Sequence, residues 1–223
     1  MEFLRVVLQA PADHFDDLLE SYARKLGMDQ TRDDTLRVGM AELSFRKNEG
    51  NPFYHFAFLV PGDRFDAARD WISTRVSLLE GGDIDDVVFD FDNWSARAVY
   101  FHDPAGNIVE LVAHEGIDEN GRTGEFDASE LVGLSEVALV GEQSELARGL
   151  GELGVQLWDG AIAPGGLAFL GERARTFIAA SPGRGWLPTG RPAEVHAVEA
   201  TISGPRQAAA TLGPHRINSL AVA

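Results

Sequence analysis

"YFHDPAGNIVELVAH", residues 100–114, decides how this chain folds. A run of aromatics suited to a strand stops at Asp103-Pro104-Ala105-Gly106-Asn107 and restarts as Ile-Val-Glu-Leu-Val. Pro104 sets φ, and Gly106 or Asn107 tolerates positive φ, so the five residues predict a tight turn that returns the chain antiparallel. On the second strand Ile108, Glu110 and Val112 share one face, opposite Val109 and Leu111. An acid so flanked is costly to bury alone. Glu110 therefore needs a partner, and a cation in a cavity would supply one.

Composition narrows the rest. At 223 residues, 44% of them hydrophobic, the chain has material for one large globular domain or two ordinary ones. No apolar run approaches the roughly 20 residues that span a bilayer, and "MEFLRVVLQAPADHF" reads as neither a basic leader nor a cleavage site, which predicts a cytoplasmic protein. Cysteine is absent, which excludes disulfides, zinc–thiolate sites and thiol nucleophiles, so any metal must be held by His, Asp or Glu. A formal charge of −16, from 35 acids against 19 bases, repels phosphate backbones and anionic membranes. The expected partner is a small molecule, not nucleic acid or membrane.

The chain also repeats itself. "PADHFD" begins at Pro11 and "PGDRFD" at Pro61, four identities in six positions at an offset of 50. Asp13 and Asp63 are placed to cap helices, with Asp16 and Asp66 three positions on. Phe15, Leu18, Leu19, Tyr22 and Leu26 then fall at helical spacing, as do Phe65, Ala68, Ile72 and Val76. A strand precedes each, "FLRVVLQA" and "FYHFAFLV". A third copy follows in "LSEVALVGEQSELARGLGELG", with Leu146 in the place of Phe65. A fourth, "VEATISGPRQAAATLG", reads as strand, Gly-Pro and short helix and runs out after "RINSLAVA" without a closing strand. The acidic, glycine-bearing stretch 116–127 is the linker between halves. Segment 181–192, "SPGRGWLPTGRP", is a loop into the last unit.

Together the strand opening on His55, the proline and Trp-bearing helix after it, and "YFHDPAGNIVEL" resemble the vicinal oxygen chelate superfamily, which includes glyoxalase I, bleomycin-resistance proteins and extradiol dioxygenases. The resemblance implies an α+β fold of βαβββ modules that pair into curled mixed sheets with helices outside. On this sequence it implies a glyoxalase-like domain over 1–115, from modules at about 1–50 and 54–114, and a degenerate second half over 128–223 with a truncated last module. It also implies a metal ligand on the first and last strand of a module, which maps onto His55 and Glu110, with Glu110 as the catalytic carboxylate. Two functions follow from it. One is a divalent-metal enzyme of the lyase, isomerase or dioxygenase kind acting on a small oxygen-chelating substrate. The other is a metal-free drug-binding protein like the bleomycin-resistance proteins.

The residues read on their own agree in part. His55 shares a face with Ala57 and Leu59, and Ala57 leaves room beside it. N and O ligands leave Zn, Ni, Mn, Fe and Co all open. A strand His beside a strand Glu can equally be a buried hydrogen-bonded pair, or Glu110 can pair with Arg5 or Arg97. Arg5 stands six residues before Pro11, as His55 stands six before Pro61, and arginine cannot ligate a cation. Arg5 thus favours the binding protein, and His55 with Glu110 the enzyme. Glu42 and Ser44 compete for the place of Glu110 in the first module. Ten residues back from Leu146 and from Ala209 stand Glu136 and Glu199, candidates of the second half for the place of His55. Arg5, Trp94 and Tyr100 are candidate substrate-binding residues, with Trp186 at a pocket mouth. His14, His102 and His114 read as solvated, and His196 and His215 carry no spacing signal. A homodimer would be one way to complete a site left short of ligands.

Overall fold

The computed structural model describes residues 1–81 and 86–221, so 82–85 in the second module and 222–223 at the end of the fourth lie outside the described residues. Four modules follow one another. The first is β1 (Glu2–Pro11), α1 (Phe15–Glu20), β2 (Asp29–Arg32), β3 (Thr35–Val38) and β4 (Ala41–Asn48). The second is β5 (His55–Val60), α2 (Phe65–Ser73), β6 (Phe89–Phe91), β7 (Ala96–His102) and β8 (Ile108–His114). The third is β9 (Gly133–Val140), α3 (Gln143–Glu152), β10 (Leu157–Gly160), β11 (Leu167–Glu172) and β12 (Arg175–Ala180). The fourth is β13 (Glu199–Gly204), β14 (Ala208–Leu212) and β15 (His215–Ala221). In each the first strand runs parallel to the last: β1 to β4, β5 to β8, β9 to β12 and β13 to β15. This is the expected α+β fold of βαβββ units in two curled mixed sheets.

Which modules pair is not as expected. The first sheet runs β14-β15-β13-β1-β4-β3-β2 and the second β10-β11-β12-β9-β5-β8-β7-β6, so module one pairs with four and module two with three. Residues 1–50 and 54–114 do not share a sheet, and each sheet takes strands from both halves of the chain. The reason is burial of the helix faces. Phe15, Leu18, Phe65, Ile72, Leu146 and Leu150 of the helices join Val6, Leu8, Phe45, Phe58, Val109 and Phe177 of both sheets in one core. The two sheets meet back to back there, with Tyr22 of module one packed edge-on to Phe58 of module two at 6.1 Å and Phe3 of module one edge-on to Phe177 of module three at 5.0 Å. The open edges of β1 and β5 therefore face different ways. β13 closes the first and β9 the second.

Three local expectations also fail. Asp13 and Asp63 cap nothing: the residues before α1 and α2 are His14 and Arg64, neither making a side-chain cap. Asp63 instead accepts the N–H groups of Asn120 and Gly121, tying down the linker. The "AAATL" of the fourth copy is β14, not a helix, because α3 already covers that side of the sheet and Leu212 packs onto it. The fourth module does keep its last strand, β15; what it lacks is the helix and one hairpin strand. No helix of the described residues is long and apolar enough to cross a membrane.

The turn at Asp103–Asn107 sets the register that matters. Gly106 takes φ 78°, and Asp103 Oδ1 accepts the N–H groups of Ala105 and Asn107. Asp103 Oδ2 accepts from the Tyr22 hydroxyl and the Asn107 amide, while Asn107 Oδ1 accepts the N–H of Tyr54, the residue before β5. The turn is thus bonded to the start of the neighbouring strand, which holds Glu110 opposite Ala57.

Candidate metal centre

Three neighbouring strands build the site. On β5, Ala57 pairs with Glu110 of β8 on one side and with Glu136 of β9 on the other, and His55 lies two residues along the same face. Paired residues on adjacent strands share a face, so both carboxylates rise beside Ala57, whose methyl leaves the space between them open. The three side chains converge. Each offers one ligand atom, all within 4.8 Å of one another, and His55 Nε2 stands 3.5 Å from Glu110 Oε2. His55, Glu110 and Glu136 are 6%, 3% and 4% exposed.

The imidazole is set up as a ligand. Its Nδ1 lies 3.1 Å from the Ile108 carbonyl, which can only accept, so the network assigns the proton to Nδ1 and leaves the Nε2 lone pair facing the carboxylates. Burial holds the ring neutral, lowering its pKa to about 4; the Ile108 bond opposes this and the Arg184 charge adds to it. Burial, then the neighbouring Glu136, push the Glu110 carboxyl well above its usual range, against a hydrogen bond from Tyr100. Burial pushes Glu136 up to about 8. Two carboxyls in one dry place cannot both ionise without a compensating charge. Among the described residues no arginine or lysine pairs with either: Arg97 bonds Asp66, and Arg5 lies 4.0 Å from Glu42. A neutral imidazole and two carboxylates without an ion-paired base form a donor set that fits a divalent cation.

The triad lines a small cavity of about 50 Å³. Phe91, Trp94, Tyr100, Phe169 and Trp186 supply flat walls, with Leu167, Ile178, Leu187 and Arg184 between them. Trp186, 3% exposed, lies tilted against the His55 ring, with centroids 5.1 Å apart. Trp94 reaches across from module two to module three, donating from Nε1 to Asp159 at 2.7 Å. The segment 181–192 closes the other side: Trp186 N–H donates to the Arg191 carbonyl, and Arg191 donates to the Gly106 carbonyl of the Asp-Pro turn while lying over the Phe53 ring.

No protein-family model and no curated protein sequence matches the chain. Solved structures do. A candidate dioxygenase from Bacillus subtilis superposes with a TM-score of 0.55 over 91% of this chain and 71% of its own, at 15% identity. Glyoxalase I from Zea mays superposes with a TM-score of 0.51 over 89% of this chain and 74% of its own, at 16% identity. The chain shares the fold of these dioxygenase and glyoxalase structures.

In this shared fold the strand register names the equivalent places in every module. Glu110 pairs with the residue two beyond His55; the same step from Glu136 leads to Ile178, from Arg5 to Ser44, and from Glu199 to Asn218. Ser44, not Glu42, therefore matches Glu110. The face of the first sheet carries Arg5, Ser44, Glu199 and Asn218, with Val7 in the place of Ala57, and Glu199 is paired with Arg46. Glu136 and Glu199 thus separate, one joining the triad and one lying in the other sheet. Arg5 is in that other sheet too, away from Trp94 and Tyr100, which both line the cavity. His114 is fully buried rather than solvated, stacked 6.4 Å from Trp94, because β8 carries it onto the cavity face two steps beyond Val112. Arg184, Phe91 and Phe169 gave no spacing signal; Ile178 was available by stepping along the third module from Glu136.

Proposed function

We propose that the chain is a divalent-metal-dependent enzyme of the lyase, isomerase or dioxygenase kind, acting on a small oxygen-chelating substrate, with His55, Glu110 and Glu136 as its metal ligands. The observation that carries this reading is the convergence of two buried carboxyls and a Nδ1-protonated imidazole with no arginine or lysine ion-paired to either carboxyl among the described residues. The cation, once bound, supplies Lewis-acid polarisation of two neighbouring substrate oxygens, which stabilises enolate-like charge. Ile178, in the fourth ligand place, donates nothing, so the protein fills three positions and leaves the rest to water or substrate. Tyr100 orients Glu110 through its hydroxyl, and the aromatic walls exclude bulk water from the reacting oxygens. Glu110 is the carboxylate placed to move a proton. The metal-free alternative loses its main support, because Arg5 does not reach this cavity.

The test is cation binding. Titration of the purified chain with Zn, Ni, Mn, Fe(II) and Co should show one tight site per chain. Glu136→Gln keeps the shape but removes a ligand charge, and should weaken binding by at least the roughly hundredfold that loss of an outer-shell partner alone can cost. Equal binding by wild type and Glu136→Gln would sink the reading.

A further inference from the structure

We propose that the substrate is a monoanion, a small flat carboxylic acid whose carboxylate is received by Arg184; this rests on the metal reading above and adds the substrate class. Arg184 lines the same cavity as His55, Glu110 and Glu136. It forms no ion pair among the described residues; its Nη1 donates to the carbonyl of Gly185 next to it, and its remaining donors are free for a ligand. The guanidinium is a planar fork matched to a carboxylate. Its backbone is fixed. Arg184 N–H donates to Ser181, the Arg184 carbonyl accepts from Ala193, and Gly185 bridges to Pro192. Burial alone shifts its pKa, downward, with no acid holding it up.

Charge balance points the same way. A divalent cation and two ionised carboxylates sum to zero, which leaves the single positive charge of Arg184 uncompensated in an aromatic cavity. A monoanion restores neutrality there. Trp186 and Phe169 offer faces for a flat body between the carboxylate and the chelating oxygens.

Two probes isolate the carboxylate. Catechol and 3,4-dihydroxybenzoate carry the same vicinal oxygens, and only the second carries a carboxylate. Each is titrated into the cation-loaded full chain, followed by tryptophan fluorescence. Wild type should bind 3,4-dihydroxybenzoate about tenfold or more tightly than catechol, as expected for one charge-assisted pair. Arg184→Gln should bring that ratio to about one with catechol affinity and cation uptake unchanged, and Arg184→Lys should keep part of it. An unchanged ratio in Arg184→Gln, no preference in wild type, or binding of neither probe overturns the proposal. Should the chain take up no cation, the metal reading falls separately. The same two titrations on the cation-free chain then decide the role of Arg184, because the carboxylate contact does not run through the metal.

Discussion

Metal-free protein is expected to lose about 2 kcal/mol of stability between pH 6.5 and 8, and a divalent cation is expected to restore it. Glu136 keeps its proton in the fold up to about pH 8, while in the unfolded chain it loses it near 4.5. Through that window the unfolded state binds fewer protons, so stability falls as pH rises, by roughly 1.4 kcal/mol per pH unit. Glu110, shifted in the same direction, adds to the fall. His55 and His114 act oppositely. Both are lowered from 6.5 to about 4, so between those values the unfolded chain binds the extra protons and stability rises with pH. Below pH 6.5 imidazoles and carboxylates offset one another; above it the imidazole contribution fades within about one pH unit and the carboxylates dominate. A cation binds their ionised form, and at a hundred times its Kd adds about 2.7 kcal/mol. Urea denaturation at pH 6.5 and 8, with chelator and then with Mn or Ni, measures both effects. A flat metal-free profile above pH 6.5 would mean the two carboxyls do not share a dry site.

Replacing Arg64 with Met is expected to cost about 3–5 kcal/mol. Arg64 is 5% exposed, at the start of α2, and grips Glu130 with Nε at 3.0 Å and Nη2 at 3.1 Å. The same guanidinium donates to the carbonyls of Arg122, Gly124 and Glu125, so one side chain gathers the connection between the second and third modules. Without it the Glu130 carboxylate stays buried with only the Asn120 amide. The double variant Arg64→Met, Glu130→Leu removes both charges and should recover most of the loss. By contrast Arg97→Met breaks an exposed pair with Asp66 and should change stability by less than about 1 kcal/mol. Denaturation midpoints of the four proteins decide it. An Arg64→Met loss as small as that of Arg97→Met would show that the buried pair does not hold the modules together.

Much of this was legible in the chain because strand and turn chemistry are local. Asp103 to Asn107 carries its own bonds, Glu110 stands on a strand face fixed by period two, and Ala57 marks the room beside it. The pairing of Glu136 with that room was legible only as a count from Leu146. What was not legible is non-local. Whether β5 closes on β1 or β9 depends on which apolar faces pack back to back, and a helix-face residue such as Phe58 reads the same in either arrangement. Asp63 looks like a helix cap, yet the linker amides of Asn120 and Gly121 take it. Arg184 sits in a segment without periodicity, so nothing in its neighbours tells that the loop folds over the cavity. His114 read as a strand end by a linker. Trp94 and Trp158, contributed by different modules, bury it.

Anomalous diffraction from crystals grown with one divalent cation, collected at that metal's absorption edge, tests the central claim most directly. A single peak per chain is predicted in the cavity of the second sheet, with His55 Nε2 and one oxygen each of Glu110 and Glu136 at about 2.0–2.2 Å. A stoichiometrically loaded crystal whose peak lies elsewhere, with the Glu110 and Glu136 carboxyls hydrogen-bonded to each other, would contradict it.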